Sequence, residues 1–171
     1  TYIMDQKGCS SPQAIVWFGR KNKQVKVKFY EILSKIVSKK YDQSLATTNE
    51  KISNLSIIAA KSDVTFQMHF KNFNLVTVKP KKFNTEIEKI RPYNGTFVEI
   101  NLDSIKKIKK IISKKCQTIT YYGIKHNELK NIIINSGTLG VDRIVPVGRA
   151  LDMSLVWDGK DLIYSLSRII A

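Results

Sequence analysis
The chain has 171 residues and carries 29 Lys and Arg against 14 Asp and Glu, a formal charge of +15. Its 43% hydrophobic and 25% charged residues are ordinary for a globular domain with a real core, and they exclude a disordered tail, a collagen-like repeat and a coiled coil. No run approaches the roughly eighteen uninterrupted apolar residues of a membrane span, and no basic-then-apolar signal segment opens the chain.

By length a single domain is expected. Residues 1–8 read as an extended lead-in that ends in a tight turn. Ala14-Ile15-Val16-Trp17-Phe18, between Pro12 and Gly19, reads as a buried strand. From about residue 24 to residue 40 the positions Val27, Phe29 and Tyr30, Leu33, Ile36 and Val37 recur every three to four residues, predicting an amphipathic helix. A weaker helix follows over residues 44–60, through Leu45, Ile52, Leu55, Ile58 and Ala59. Residues 64–70 alternate, and residues 73–78 follow a polar break, so a hairpin or two successive strands are expected.

Beyond Pro92 and the Asn94-Gly95 turn signal the pattern becomes regular. Residues 96–102 predict a strand, 104–115 a helix, 117–124 a strand, 127–135 a helix and 143–147 a strand. That β-α-β-α-β order implies parallel pairing and an α/β domain. A last helix is expected over residues 160–169.

The basic residues are 24 Lys and only 5 Arg. Arg is the side chain suited to bidentate phosphate and guanine recognition, so a dedicated nucleic-acid surface is not the first expectation. In Ile105-Lys106-Lys107-Ile108-Lys109-Lys110-Ile111-Ile112 the isoleucines share one helical face and the lysines the other, as on a solvated helix packed against a sheet. Two Cys and two His at scattered spacing do not make a metal site. Gly137-Thr138-Leu139-Gly140 lacks the Lys and the preceding strand of a phosphate loop.

Two stretches carry chemistry. In Asp5-Gln6-Lys7-Gly8-Cys9-Ser10-Ser11-Pro12-Gln13 a cysteine follows a glycine just ahead of a buried strand. Gly8 opens the approach to Cys9 and allows unusual backbone angles there. Ser10 or Ser11 can cap a turn before Pro12, whose φ suits the first position of a helix. Backbone N–H groups so arranged favour a thiolate and can hold an oxyanion, with Lys7 adding positive potential. Cys9 is therefore the candidate nucleophile, with Gly8, Ser10 and Ser11 shaping its site. Cys116, at the mouth of a predicted strand, reads as a packing residue. The second stretch, residues 140–163, ends a strand in Pro146-Val147-Gly148 and continues through Trp157-Asp158-Gly159 into the last helix. Loops after parallel strands are where α/β proteins bind ligands, although turn-shaping alone also accounts for these residues.

Together, Asp5-Gln6-Lys7-Gly8-Cys9-Ser10-Ser11-Pro12-Gln13 and Arg143-Ile144-Val145-Pro146-Val147-Gly148-Arg149-Ala150-Leu151-Asp152, with Trp157-Asp158-Gly159-Lys160-Asp161-Leu162-Ile163, resemble the LuxC-type acyl-CoA reductases. These are the fatty-acid reductase components of bacterial bioluminescence, within the aldehyde dehydrogenase superfamily. Both ends of the chain carry the resemblance; residues 20–89 have no residue-by-residue match. The resemblance implies an aldehyde-dehydrogenase-like catalytic domain, a mostly parallel sheet flanked by helices. It implies a fatty acyl group delivered as a CoA or protein thioester to Cys9, NADPH as hydride donor, and a long-chain aldehyde as product. It places the nucleotide-binding region upstream, so that residues 1–171 are expected to be a C-terminal catalytic domain, inactive alone. An acyl-protein synthetase and a second copy of the protein are the implied partners, with no membrane. Where relatives carry a Glu-x-Phe-Gly-Pro stretch this chain has Ile90-Arg91-Pro92-Tyr93, so Arg91 and Tyr93, with Pro146 and Gly148, are its cofactor candidates. The alternatives are a basic α/β binding module for nucleic acid or anionic partners, and a non-catalytic oligomerisation domain joined through the alternating residues 64–78.

Overall fold
The structure, a computed structural model, describes residues 1–19, 23–82 and 90–168. Contacts divide the chain into two compact units, Thr1–Lys107 and Ile108–Ala171.

The first unit is built on a four-stranded sheet. Its strands are β1 (Ala14–Phe18), β2 (Val64–His69), β3 (Asn72–Pro80) and β4 (Thr96–Leu102), in the order β1-β4-β3-β2. β1 and β3 both run parallel to β4, which is central, and β2 closes one edge antiparallel to β3. The β2–β3 hairpin turns on Phe70 and Lys71, both at positive φ, the backbone geometry that suits a two-residue turn between right-twisted strands.

Between β1 and β2 come α1 (Lys23–Lys40) and α2 (Leu45–Lys61). Lys39 and Lys40 lie in the last turn of α1, where cations complement the helix dipole. Ser44 caps α2: its Oγ accepts the Thr47 N–H at 3.1 Å. The buried stripe of α1 runs through Tyr30, Ser34 and Val37, with Leu33 packed beside it. Val27 and Ile36, expected inward, are exposed instead, so the helix is turned by about one position from the sequence reading.

The core of this unit lies between α1 and the sheet. Tyr30, Leu75 and Phe97 are buried together, with Tyr2, Ile15, Trp17 and Leu33 against them. Beneath α1 runs a line of buried polar groups. Tyr30 donates its hydroxyl to Glu99 at 2.5 Å, and Lys26 reaches the other carboxylate oxygen at 3.1 Å. Burial alone would raise the Glu99 pKa, but these donors and the charges of Lys79 and Lys26 outweigh it and hold the carboxyl below its ordinary value. His69 stacks on the Tyr30 ring at 3.8 Å and meets Thr77 Oγ at 2.9 Å, which makes it a core histidine whose burial favours the neutral form.

Ile108–Ala171 begins inside a 3₁₀ turn, Ile105–Lys110, where a helix over residues 104–115 was expected. Ile105, Ile108 and Ile111 repeat every three residues, the 3₁₀ period, so one apolar edge serves the tighter helix as well as an α-helix. The unit holds a parallel pair, β5 (Thr118–Tyr121) and β6 (Arg143–Pro146), linked through α3 (His126–Asn135), so the expected β-α-β order is present. β5 does not join β4 in one sheet, because β4 already has β1 and β3 on its two edges. A small hairpin of β7 (Val156–Trp157) and β8 (Lys160–Asp161) turns on Asp158-Gly159, and α4 is only Leu162–Leu166. Residue 169, the expected helix end, lies outside the described residues. The whole is mixed α/β with mainly parallel pairing, and no helix among the described residues is long and apolar enough to cross a membrane.

Lys51 is fully buried in α2, its ammonium donating to the Phe73 carbonyl and lying 4.8 Å from the Phe73 ring centre. Burial lowers its pKa from 10.5 to about 7. Between those values the unfolded chain holds a proton that the folded chain has released, so stability rises with pH, by up to about 1.4 kcal/mol per unit. Above about pH 10 the Tyr2, Tyr30 and Tyr41 hydroxyls, whose pKa values are all raised in the fold, oppose that trend. The urea midpoint is therefore expected to increase from pH 7 to pH 9 and Lys51→Met to remove most of the increase. An unchanged slope in Lys51→Met would show that other groups cause it.

Candidate active site
Cys9 is exposed, at the tip of a loop whose base is tightly bound. The chain enters through a 3₁₀ turn, Tyr2–Met4, and then through Asp5 and Gln6, both in the left-handed region at φ 48° and 63°. For residues with a side chain that conformation is costly and persists only where the surroundings impose it. Here the Gln6 side chain does so. It is fully buried, its amide nitrogen donates to the Pro12 carbonyl at 2.7 Å, and its amide oxygen accepts the N–H groups of Gly95 and Thr96 at 3.1 and 3.2 Å. Gln13 donates back to the Gln6 carbonyl at 3.1 Å, closing the loop at its neck.

The surface that receives this hook is itself unusual. Tyr93, Asn94 and Gly95 are successive left-handed residues just before β4. The Asn94 N–H donates to the Asp5 carbonyl at 3.0 Å, and a Cβ on Gly95 would lie 2.2 Å from the Asn74 carbonyl oxygen, so only glycine fits there. Tyr2 fixes the lead-in from the other side, edge-on to Tyr41 at 5.0 Å and to Phe97 at 6.3 Å, while Tyr41 donates its hydroxyl to Asp5.

Within the loop the Ser11 N–H donates to the Gly8 carbonyl at 2.9 Å, making a turn with Cys9 and Ser10 in its centre. The N–H groups of Cys9 and Ser10 have no partner among the described residues. Such donors beside a sulfur can receive an oxyanion formed on it. Ser11 and Pro12 lead into β1 and no helix begins there, so turn amides rather than a helix dipole are the electrophilic groups near Cys9. Gly8 does not adopt the left-handed region; its lack of a Cβ leaves room for Ser11 Oγ, which would be 3.3 Å from one. The unusual backbone expected at Gly8 belongs to Asp5 and Gln6. Lys7 is bound to Glu50 at 2.7 Å, so most of its charge is matched there instead of facing the thiol.

The structure thus brings the Cys9 loop and residues 93–96 together. Arg91 is exposed and Pro92 buried, just ahead of Tyr93 in the chain. Pro146 and Gly148 belong to the second unit, where they form a turn in which the Arg149 N–H donates to the Pro146 carbonyl at 3.0 Å. That unit's loop is organised by Arg143: its guanidinium stacks 4.1 Å from the Trp157 ring centre and donates to the carbonyls of Ala150 and Asp152, both at 2.8 Å. Cys116 is partly buried, and burial with the nearby Asp142 carboxylate pushes its thiol pKa up, as suits a packing residue. Gly140 would press a Cβ onto the Lys114 backbone at 2.6 Å, which accounts for the glycine in Gly137-Thr138-Leu139-Gly140 by packing.

Gln6 and residues 94–96 were not marked as functional from the sequence, although Tyr93 beside them was a cofactor candidate. The Asn94-Gly95 turn signal was visible, but the glutamine that reads it across the sequence was not. No protein-family model matches this chain, and no curated protein matches its sequence.

Replacing Gln6 leaves the buried Gly95 N–H and the Pro12 carbonyl without partners, while the Thr96 N–H keeps the Tyr93 carbonyl at 2.9 Å. Gln6→Ala is expected to destabilise the protein by about 2–4 kcal/mol and to change the rate at which iodoacetamide alkylates Cys9, with Gln6→Asn recovering neither in full. Chemical denaturation and mass-monitored alkylation read the two effects. A loss under about 0.5 kcal/mol, within the range of ordinary surface changes, would show that the hook does not depend on Gln6.

Proposed function
We propose that this chain is the cysteine-bearing catalytic region of a LuxC-type long-chain acyl thioester reductase, with an aldehyde-dehydrogenase-like fold. The observation that carries the reading is the exposed Cys9, held in Gly8-Cys9-Ser10-Ser11-Pro12-Gln13 on a loop clamped at its base, with two unpartnered amides in the same turn.

The Cys9 sulfur, as thiolate, attacks the carbonyl carbon of the acyl thioester. The carbonyl electron pair moves onto oxygen, and the unpartnered Cys9 and Ser10 N–H groups of the same turn are its proposed donors. Collapse of this adduct breaks the bond to the donor sulfur, which leaves as thiolate, and the acyl group remains on Cys9 as a new thioester. A reduced nicotinamide cofactor, NADPH, held mainly by a nucleotide-binding region outside these residues, would supply the hydride for reduction of the acyl group to aldehyde, with the Cys9 sulfur as leaving group. Among the described residues no glycine-rich strand-to-helix turn offers a dinucleotide site, and Arg91, exposed two residues ahead of Tyr93, is the candidate in the first unit. The exposed Cys9 suits a reducing, cytoplasmic setting, and the intact enzyme is read as a homo-oligomer that receives its acyl group from CoA or an acyl-protein synthetase.

In a protein that carries this chain with a nucleotide-binding region, Cys9→Ser is expected to abolish aldehyde formation from long-chain acyl-CoA and NADPH. Cys116→Ser is expected to leave it unchanged. Aldehyde released at the normal rate by Cys9→Ser would overturn the reading.

A further inference from the structure
Helix α1 meets the rest of the first unit on three sides. Tyr30, Ser34 and Val37 face inward, Ser34 and Ser38 accept the Asn72 side-chain amide of the β2–β3 hairpin, and Phe29 lies edge-on to Trp17 of β1 at 5.4 Å. The remaining side is exposed. On it Val25, Ile32 and Ile36 are 58%, 49% and 48% exposed, with Phe29 at its edge.

Val25, Phe29, Ile32 and Ile36 follow one another at spacings of four, three and four residues, the rhythm of a coiled-coil seam. The line is about 17 Å long and covers only about 60° of the helix circumference. Exposed Lys28 and Lys35 hold the flanking position beside it in successive heptads, and exposed Lys39 ends it. Lys35 pairs with Glu31 at 2.6 Å, whereas Lys28 and Lys39 make no ion pair among the described residues. Three ammonium groups thus border the seam against one carboxylate.

Width and charge together select the occupant. Burying a helix face in a core or a lipid surface takes a broad apolar stripe of about 100° or more, whereas a narrow seam suits one partner helix. A second copy does not suit it. Antiparallel pairing of two α1 seams sets Lys28 and Lys35 against each other, and parallel pairing sets Lys35 against Lys40. An acidic flank is what answers these lysines.

We infer that the outer face of α1 docks an amphipathic helix of another protein, its apolar seam flanked by Glu or Asp. Val25, Ile32 and Ile36 supply the apolar contact, and Lys28, Lys35 and Lys39 set register and orientation. Three helical turns make a short contact, of the size found in transient complexes. The surface uses no residue of the Cys9 loop and stands whether or not Cys9 is a nucleophile.

The test is fluorescence anisotropy of a labelled synthetic helix of about three heptads, with Leu along its seam and Glu on its flanks, titrated with the chain at low ionic strength. Saturable binding is expected. Ile32→Ser with Ile36→Ser weakens it about tenfold or more, and Lys28→Gln with Lys39→Gln about fivefold. Leu45→Ser on α2 and Lys130→Gln on α3, both exposed, leave it unchanged, and the same peptide with Lys on its flanks binds about tenfold more weakly. Should the isoleucine pair lower the urea midpoint, the lysine pair carries the test, since both side chains lie at the surface. No saturable binding of the acidic peptide, equal binding of the Lys-flanked one, or equal weakening by Leu45→Ser would each overturn the inference. So would a dimer of the chain in sedimentation that needs Ile32 and Ile36, or tighter capture by phosphatidylglycerol vesicles than by the peptide, lost with the same isoleucines.

Discussion

Buried hydrogen bonds of the Gln6 side-chain amide are the constraint on which the Cys9 end of the first unit depends. One glutamine bonds three backbone groups drawn from two segments far apart in sequence: the Pro12 carbonyl and the N–H groups of Gly95 and Thr96. Those segments are also where the chain leaves ordinary backbone space, at Asp5 and Gln6 on one side and Tyr93 to Gly95 on the other. Strained backbone of this kind is sustained by over-determined surroundings and is concentrated at working sites. The strain lies in the support rather than in the turn that carries Cys9. The loop tip is thereby presented on a rigid base, the arrangement by which surface loops carry chemistry.

A second constraint runs beneath α1. Glu99, Tyr30, Lys26 and His69 form a buried polar line in which every charged group has a partner. Breaking such a line by removing one member leaves a buried charge uncompensated, a larger penalty than the line's net contribution to stability. Lys51 is different, since it is buried with only a carbonyl and a ring for company and gives up its proton readily. Lys26 carries this polar line on to Asn101, toward the carboxyl end of β4.

Much of the secondary structure was legible because local pattern decided it. The apolar run of β1, the capped start of α2, the alternating hairpin of β2 and β3 and the β5-α3-β6 unit all follow period and turn chemistry. What failed was decided elsewhere. The isoleucine repeat before β5 satisfies a period of three as well as an amphipathic helix, so the local pattern does not choose between them. The partnership of β4 with β1 and β3 depends on edges that no local window contains. The Asp158-Gly159 hairpin had a plain signal, an Asp-Gly pair in a short turn, that was read only as a bend. At the site, Cys9 was legible from its neighbours Gly8 and Ser11. Gln6 was not, since a buried glutamine declares its partners only in three dimensions, and Lys7 seemed a neighbour of the thiol until Glu50 on α2 was seen to hold it.

The central claim is that Cys9 accepts an acyl group on this hooked loop. Intact-mass spectrometry of the chain after incubation with a long-chain acyl-CoA tests it most directly, with Cys9→Ser measured beside it. The account predicts a single added acyl mass that requires Cys9 and is removed by neutral hydroxylamine, as a thioester is. An adduct of equal extent on Cys9→Ser, or none on the chain even when it is joined to a nucleotide-binding region, would contradict it.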